Sequence, residues 1–235
     1  LKQLLSQIVA HAESASLYRN KVNWDSVKMK VSDLAKDAQS VPELAPSLKY
    51  LLKSMGDEHG RIFHNNRIIA YNYGDLKPHQ KTFNSDIYGD VQSGQVYEFE
   101  ARLLKDNVGY VRIVGMPMGD NEQMAKGIQD KVCELIAAGA KKWILDLRYN
   151  GGGNMHPMAE GITPLIGNGY VGGSQGLTPA ENASWTVKNG DFFYDDYSIG
   201  LKNDCPIKSL PKVAVLTSVY TASSGEAIAV MFKNR

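Results

Sequence analysis

Apolar residues recur at helical spacing through the first sixty positions. Leu4, Leu5, Ile8 and Ala12 mark one face of a first helix. A second helix begins near Asp25-Ser26 and carries Val27, Val31 and Leu34. A third starts with Ser40 as N-cap, Pro42 near the first turn and Glu43 three residues after the serine. Leu44, Leu48, Leu51 and Leu52 give it an apolar face, and Gly56 ends it. The pattern predicts a small helical cap over residues 1–60.

The period then changes. Arg67–Tyr73 and Gln95–Leu104 read as strands, separated by a polar stretch with Gly74, Pro78 and Gly89. A repeating strand–helix pattern follows. Gly109–Val114 is a strand, and Asn121–Ala138 is a helix with Met124, Ile128, Val132, Leu135 and Ile136 on one side. Lys142–Leu147 is an apolar strand that leads through a Gly-rich turn into a helix ending near Ile166. A polar, aromatic insertion contains Trp185 and Asp191–Tyr197. Lys212–Thr217 is the last strand and Gly225–Lys233 the last helix. Near-continuous apolar strands alternating with helices predict an α/β core, residues 61–235, around a buried and partly parallel sheet.

Composition narrows the function classes. Apolar residues make up 43% and charged residues 22%, an ordinary globular mixture. The formal net charge is +1, with no basic stripe, so nothing nominates a nucleic acid or an anionic membrane as partner. No apolar run reaches the length of a membrane span. Cys133, on an amphipathic helix, reads as a buried free thiol. With no CxxC or Cys/His spacing, neither a structural zinc nor any other metal or cofactor is expected. Leu1 stands where an initiator Met would be, so an upstream signal peptide, lipoprotein leader or artificial boundary is expected. Oligomeric state is not read from the sequence.

Parallel sheets place ligands outside the carboxyl ends of their strands. That rule selects two turns. The first is Asp146-Leu147-Arg148-Tyr149-Asn150-Gly151-Gly152-Gly153-Asn154. Consecutive glycines are costly to order and make sense where backbone must approach something closely. Their N–H groups can form half of an oxyanion hole, though a purely structural turn fits equally well. A phosphate site would need a Walker lysine or GxGxxG, and neither is present. The second turn is Thr221-Ala222-Ser223-Ser224-Gly225-Glu226. Ser223-x-x-Glu226 reads first as a capping box. A serine at a helix start can also be a nucleophile, helped by the amide that follows it, here Ser224.

The two turns together resemble a known family. Asp146–Gly153 looks like the DLR-x-N-x-GG motif of the S41 serine peptidases (C-terminal processing and tricorn-like proteases), and Thr221–Glu226 looks like their nucleophile motif. Met55-Gly56-Asp57-Glu58-His59 is similar to their Leu-Gly-Asp-x-His segment. Lys21-Val22-Asn23-Trp24-Asp25 resembles the Val-Asp-Trp-Asp that opens the cap. The matches fall in family order from about residue 20 onward. The resemblance implies a ClpP/crotonase-like fold and peptide or protein substrates. Cleavage would run through an acyl-enzyme on Ser223, with an oxyanion hole from Ser224 and Gly152 or Gly153. It also implies an extracytoplasmic location, periplasmic or secreted.

A serine needs a base. Processing-type members use a Lys about two dozen residues beyond the serine, and tricorn-like members use a His from the Gly-Asp-x-His region. This sequence runs twelve residues past Ser223, and Lys233 is too close on the same helix. His59 is therefore the candidate base, although Gly60 replaces the Ser or Thr common after it. His64, His79 and His156 are weaker candidates, with His156 near enough to the Gly-rich turn to line the site. The catalytic core is expected to be C-terminally incomplete. The stretch from His59 to Tyr110 is too short for a PDZ domain, which points to a PDZ-less member.

Two other readings compete: an inactive relative that binds peptide or protein, and a crotonase-like acyl-transfer enzyme with similar paired amides. Gly172-Gly173-Ser174-Gln175-Gly176 fits G-x-S-x-G, but Pro179 follows quickly and no His comes after His156, so an α/β-hydrolase is rejected. Asp191–Tyr197 reads as a solvated hairpin.

Overall fold

A computed structural model describes residues 1–72, 84–95, 97–201, 205 and 209–233. His79, the stretch around Gly74 and Pro78, and the end of the predicted Arg67–Tyr73 strand lie outside the described residues. The chain divides into two units, Leu1–Asp75 and Leu76–Arg235. The hairpin that follows the helices packs on them, with Ala70 in their buried core.

The first unit contains α1 (Lys2–Ala15), α2 (Trp24–Leu34), α3 (Ala45–Met55) and the antiparallel hairpin β1 (Arg61–His64) and β2 (Arg67–Tyr71). Asn23 caps α2 by accepting the Ser26 N–H at 3.1 Å. Ser40 and Glu43 meet at 2.6 Å ahead of α3, where Pro42–Leu44 forms a 3-10 turn before the α-helix proper. Gly56 ends α3 in the left-handed region, at φ 68°. Leu5, Val9, Val27, Val31, Leu48 and Leu51 form the buried core, joined by Ala70 of β2. Leu4 and Leu34, expected on apolar faces, are exposed, and Val9 takes the buried place on α1.

The second unit opens with α4 (Ser85–Gln92), followed by β3 (Glu100–Leu104), β4 (Val108–Arg112), α5 (Asn121–Ala137) and β5 (Lys142–Asp146). The predicted Gln95–Leu104 strand is shorter than its apolar pattern suggested, and α4 was not predicted. Then come α6 (Met155–Gly161), α7 (Thr163–Ile166), strands β6 (Gly169–Ser174), β7 (Ala183–Lys188), β8 (Asp191–Tyr194) and β9 (Tyr197–Ser198), β10 (Lys212–Leu216) and α8 (Ser224–Met231). The central sheet has the order β10-β5-β4-β3. β10, β5 and β4 run parallel and β3 is antiparallel to β4. The insertion forms a second, antiparallel sheet in the order β6-β7-β8-β9. The Gly172–Gly176 decoy falls on its edge strand β6 and the loop after it, with no helix at the serine. Asp191–Tyr197 is a hairpin, as expected, but its Phe192 is buried in the core.

Val111, Leu145 and Leu147 from the central sheet pack with Ile128 and Val132 of α5 and with Met158 of α6. Fully burying side chains of this kind contributes roughly 1.5–3 kcal/mol each. The free-thiol reading of Cys133 is corrected: Cys133, on α5, is disulfide-bonded to Cys205, with Cα atoms 5.4 Å apart. Their separation of 72 residues hides this pairing from local pattern. Among the described residues no helix is long and apolar enough to cross a membrane.

Candidate active site

β5 and β10 are adjacent parallel strands, so their carboxyl ends deliver the two selected turns side by side. Hydrogen bonds then fasten one turn to the other. Leu147 N–H donates to Leu216 O at 2.8 Å, and Ala222 N–H donates to Asn150 O at 3.0 Å. The Thr221 hydroxyl donates to Leu147 O at 2.7 Å, and the Ser218 hydroxyl donates to Arg148 O. Ser224 Oγ closes the far end by donating to Gly153 O at 2.6 Å.

Ser223 sits at the start of α8 with φ 53° and ψ −122°. A non-glycine residue in this region costs on the order of 1–3 kcal/mol, and such strain collects at functional sites. Glu226 Oε2 accepts the Ser223 N–H at 2.9 Å, which forms the Glu226 half of the capping box. Ser224 is the first helical residue, so its N–H has no intrahelical acceptor.

The Gly-rich turn lies against the serine. A Cβ placed on Gly152 would come within 2.7 Å of Ser223 Cβ and 3.1 Å of Ser224 N. Gly152 and Gly153 have φ of 98° and 105°. Asn150 is fully buried and organises the turn: its Oδ1 accepts the Gly152 N–H at 2.9 Å, and its Nδ2 contacts Met158 Sδ at 3.3 Å. The Gly152 amide is thus committed. Among the described residues the Gly153 N–H has no acceptor.

Behind the turn, buried Asp146 takes a bidentate ion pair from Arg148, with Nε to Oδ1 at 2.9 Å and the second nitrogen to Oδ2 at 2.7 Å. The Tyr110 hydroxyl adds a third bond at 2.7 Å. Burial pushes the Asp146 carboxyl up, but the hydrogen bonds from Arg148 and Tyr110 outweigh it and hold the group below the usual carboxylate range. This network anchors the start of the turn.

His59 is exposed on the turn between α3 and β1, in the first unit. Asp57 Oδ1 accepts the backbone N–H groups of His59 and Gly60 at 2.9 and 2.8 Å. A Cβ on Gly60 would lie 2.6 Å from both Asp57 Oδ2 and a Leu52 methyl, two movable side-chain ends. His64 ends β1 in the same unit. His156 lies on α6 just after the Gly-rich turn, among the rings of Phe192, Tyr194 and Tyr197. Burial lowers its pKa. Among the described residues no group of three or more His, Cys, Asp or Glu side chains is placed to hold a metal ion.

Sequence reasoning singled out Ser223 and the glycines but missed the parts that hold them. Thr221 and Asn150 stood inside the quoted motifs, yet the bonds that stitch the two turns, Thr221 to Leu147 O and Ala222 N–H to Asn150 O, span residues remote in sequence. The contacts of Tyr88, Asp90, Tyr97, Tyr149 and Tyr220 left no periodic signal.

A partly parallel sheet that brings a serine-bearing helix start against a Gly-rich turn defines an enzyme-type α/β core. The profile of Peptidase family S41 matches residues 107–235, more than half of the chain, and the chain belongs to that family. A nisin-resistance protein of Lactococcus lactis subsp. lactis is 25% identical over 226 residues, covering 94% of this chain and 62% of that protein. The chain therefore spans less than two thirds of that relative. Among solved structures, a lipoprotein from Streptococcus agalactiae aligns over 100% of this chain and 72% of its own, with TM-score 0.65 and 18% identity. A photosystem II D1 C-terminal processing protease aligns over 99% and 78%, with TM-score 0.50 and 13% identity. At these identities the two structures establish a shared fold.

Proposed function

We propose that this protein is a serine endopeptidase that cleaves peptide bonds through an acyl-enzyme on Ser223. The observation that carries the reading is the strained Ser223 at the start of α8, pressed against Gly152 at the ends of two adjacent parallel strands. The serine oxygen attacks the scissile carbonyl and its proton passes to a base. The carbonyl oxygen gains negative charge, which the N–H groups of Ser224 and Gly153 stabilise. Gly152, its own amide held by Asn150, supplies the close backbone approach. Collapse of the tetrahedral intermediate expels the amine with that proton and leaves the acyl-serine, which water hydrolyses.

The proposed base is His59, on the resemblance of Met55–His59 to the family's segment. Membership of a peptidase family supports a peptide or protein substrate. The nisin-resistance relative makes nisin the first to try. We place the protein outside the cytoplasm: the Cys133–Cys205 disulfide suits an oxidising compartment, and one structural relative is a lipoprotein.

The test is to incubate the protein with nisin and with a mixture of unstructured peptides, and to read the fragments by mass spectrometry. Wild type cleaves, Ser223→Ala does not, and His59→Ala loses on the order of 100-fold or more in rate. Cleavage that persists in Ser223→Ala overturns the reading.

A further inference from the structure

Helix α4 touches both catalytic turns. Asp90 accepts hydrogen bonds from the hydroxyls of Tyr149 at 2.6 Å and Tyr97 at 2.7 Å. Tyr149 immediately precedes Asn150, the residue that holds the Gly152 amide and the Ala222 N–H. One half-turn earlier on the same helix, Tyr88 stacks on Tyr220 with ring centroids 6.4 Å apart and planes 23° apart. Tyr220 lies on the turn that leads to Ser223. One short helix thus reaches the glycine turn through a carboxylate and the serine turn through a ring.

The Asp90 contact is built to be rigid. The rings of Tyr97 and Tyr149 stack at 3.8 Å, with Arg112 over the outer face of one and Arg148 beside the other. Phenol-to-carboxylate bonds are charge-assisted and stronger than neutral ones. Accordingly, the Tyr149 hydroxyl, followed by that of Tyr97, holds the Asp90 carboxyl below its usual range. Burial, followed by the bond to Asp90, pushes the Tyr149 phenol up.

Such a brace has a purpose beside three consecutive glycines. The glycine turn is flexible by composition, and oxyanion donors act only when held within about half an ångström of the developing charge. Asp146 anchors the start of the turn and Ser224 its end. Asp90 is the anchor on the remaining flank. We infer that α4 is a strap that sets the spacing of the two turns, with Asp90 and Tyr149 as positioning residues for the acylation of Ser223. The inference rests on the reading of Ser223 as nucleophile.

The test compares wild type with Asp90→Asn, Tyr149→Phe and the double variant. It measures the maximal rate and half-saturation concentration of fluorophosphonate labelling, beside hydrogen exchange of peptides covering residues 148–154 and 218–226. Each single variant is expected to lower the maximal rate about tenfold or more while half-saturation stays put. The double variant should fall little further than Asp90→Asn alone, because that substitution already weakens the charge-assisted bond that Tyr149→Phe removes. Exchange should quicken in both turns. A purely structural role would reduce the fraction of protein that labels, not the rate of the part that does. Unchanged labelling rates in both single variants overturn the strap and leave the nucleophile standing. If wild type itself fails to label, the nucleophile reading falls, and exchange decides the strap: quickening in both turns upholds it, and quickening confined to α4 refutes it.

Discussion

A Cβ on Gly152 would lie 2.7 Å from the Cβ of Ser223, closer than two such atoms pack in proteins. The approach of the two turns at this point leaves no room for a side chain on the glycine turn. Glycine is also demanded there by φ of 98°. By contrast, a Cβ on Gly151 meets nothing within 4 Å. Gly152→Ala should therefore destabilise the fold by about 2 kcal/mol or more and abolish labelling of Ser223. Gly151→Ala should melt within a few degrees of wild type. Thermal melts and labelling of the pair check this, and equal behaviour of the two variants would contradict it.

Strain at Ser223 predicts a stability gain when function is removed. Its φ of 53° suits glycine. Relieving about 1–3 kcal/mol of strain, less roughly 0.5–1 for the added freedom of the unfolded chain, leaves Ser223→Gly about 1 kcal/mol more stable than wild type. Denaturant titration measures it. A variant less stable than wild type would mean that the backbone there is not strained.

The Cys133–Cys205 bond closes a loop across 72 residues. The chain-entropy estimate for such a loop is about 4 kcal/mol, and measured values usually fall nearer 2–4. Replacing both cysteines by Ala, or reducing the protein, should lower its unfolding free energy by that amount. Intact mass with and without alkylation reports the bond directly.

Glu160 offers a pH signature. It is buried on α6, where burial pushes its carboxyl up to about 8 despite the bond from the Phe192 N–H at 2.9 Å. In the unfolded chain the carboxyl ionises near its ordinary 4.5. Between those two values the unfolded state sheds a proton that the folded state keeps. The contribution of Glu160 to stability is therefore full below about pH 4.5 and is lost as pH rises toward 8, at up to roughly 1.4 kcal/mol per unit. Glu160→Gln should match wild type near pH 5 and exceed it near pH 8, measured by denaturant unfolding at both.

Local pattern made much of this protein legible. Asn121–Ala137 and Lys142–Asp146 were readable because apolar residues follow one period over their whole length. α4 was not, since Ile87 is its one buried residue and Gly89 interrupts it. The β6–β9 sheet was read as a polar insertion because its strands are short and β6 carries three glycines. Ser223 and the glycine turn stood out because their chemistry is compressed into two short motifs. The bond from Ala222 N–H to Asn150 O, the Thr221 stitch and the Asp90 brace join residues far apart in sequence that only the fold brings together. His59 comes from the first unit, and the sequence motif is what nominates it.

The central claim is that Ser223 is an activated nucleophile. The most direct test treats wild type, Ser223→Ala and His59→Ala with a fluorophosphonate probe and reads intact mass. The account predicts one adduct on wild type, lost in Ser223→Ala and nearly lost in His59→Ala. An adduct that survives in Ser223→Ala, or no adduct on folded wild type, would contradict it.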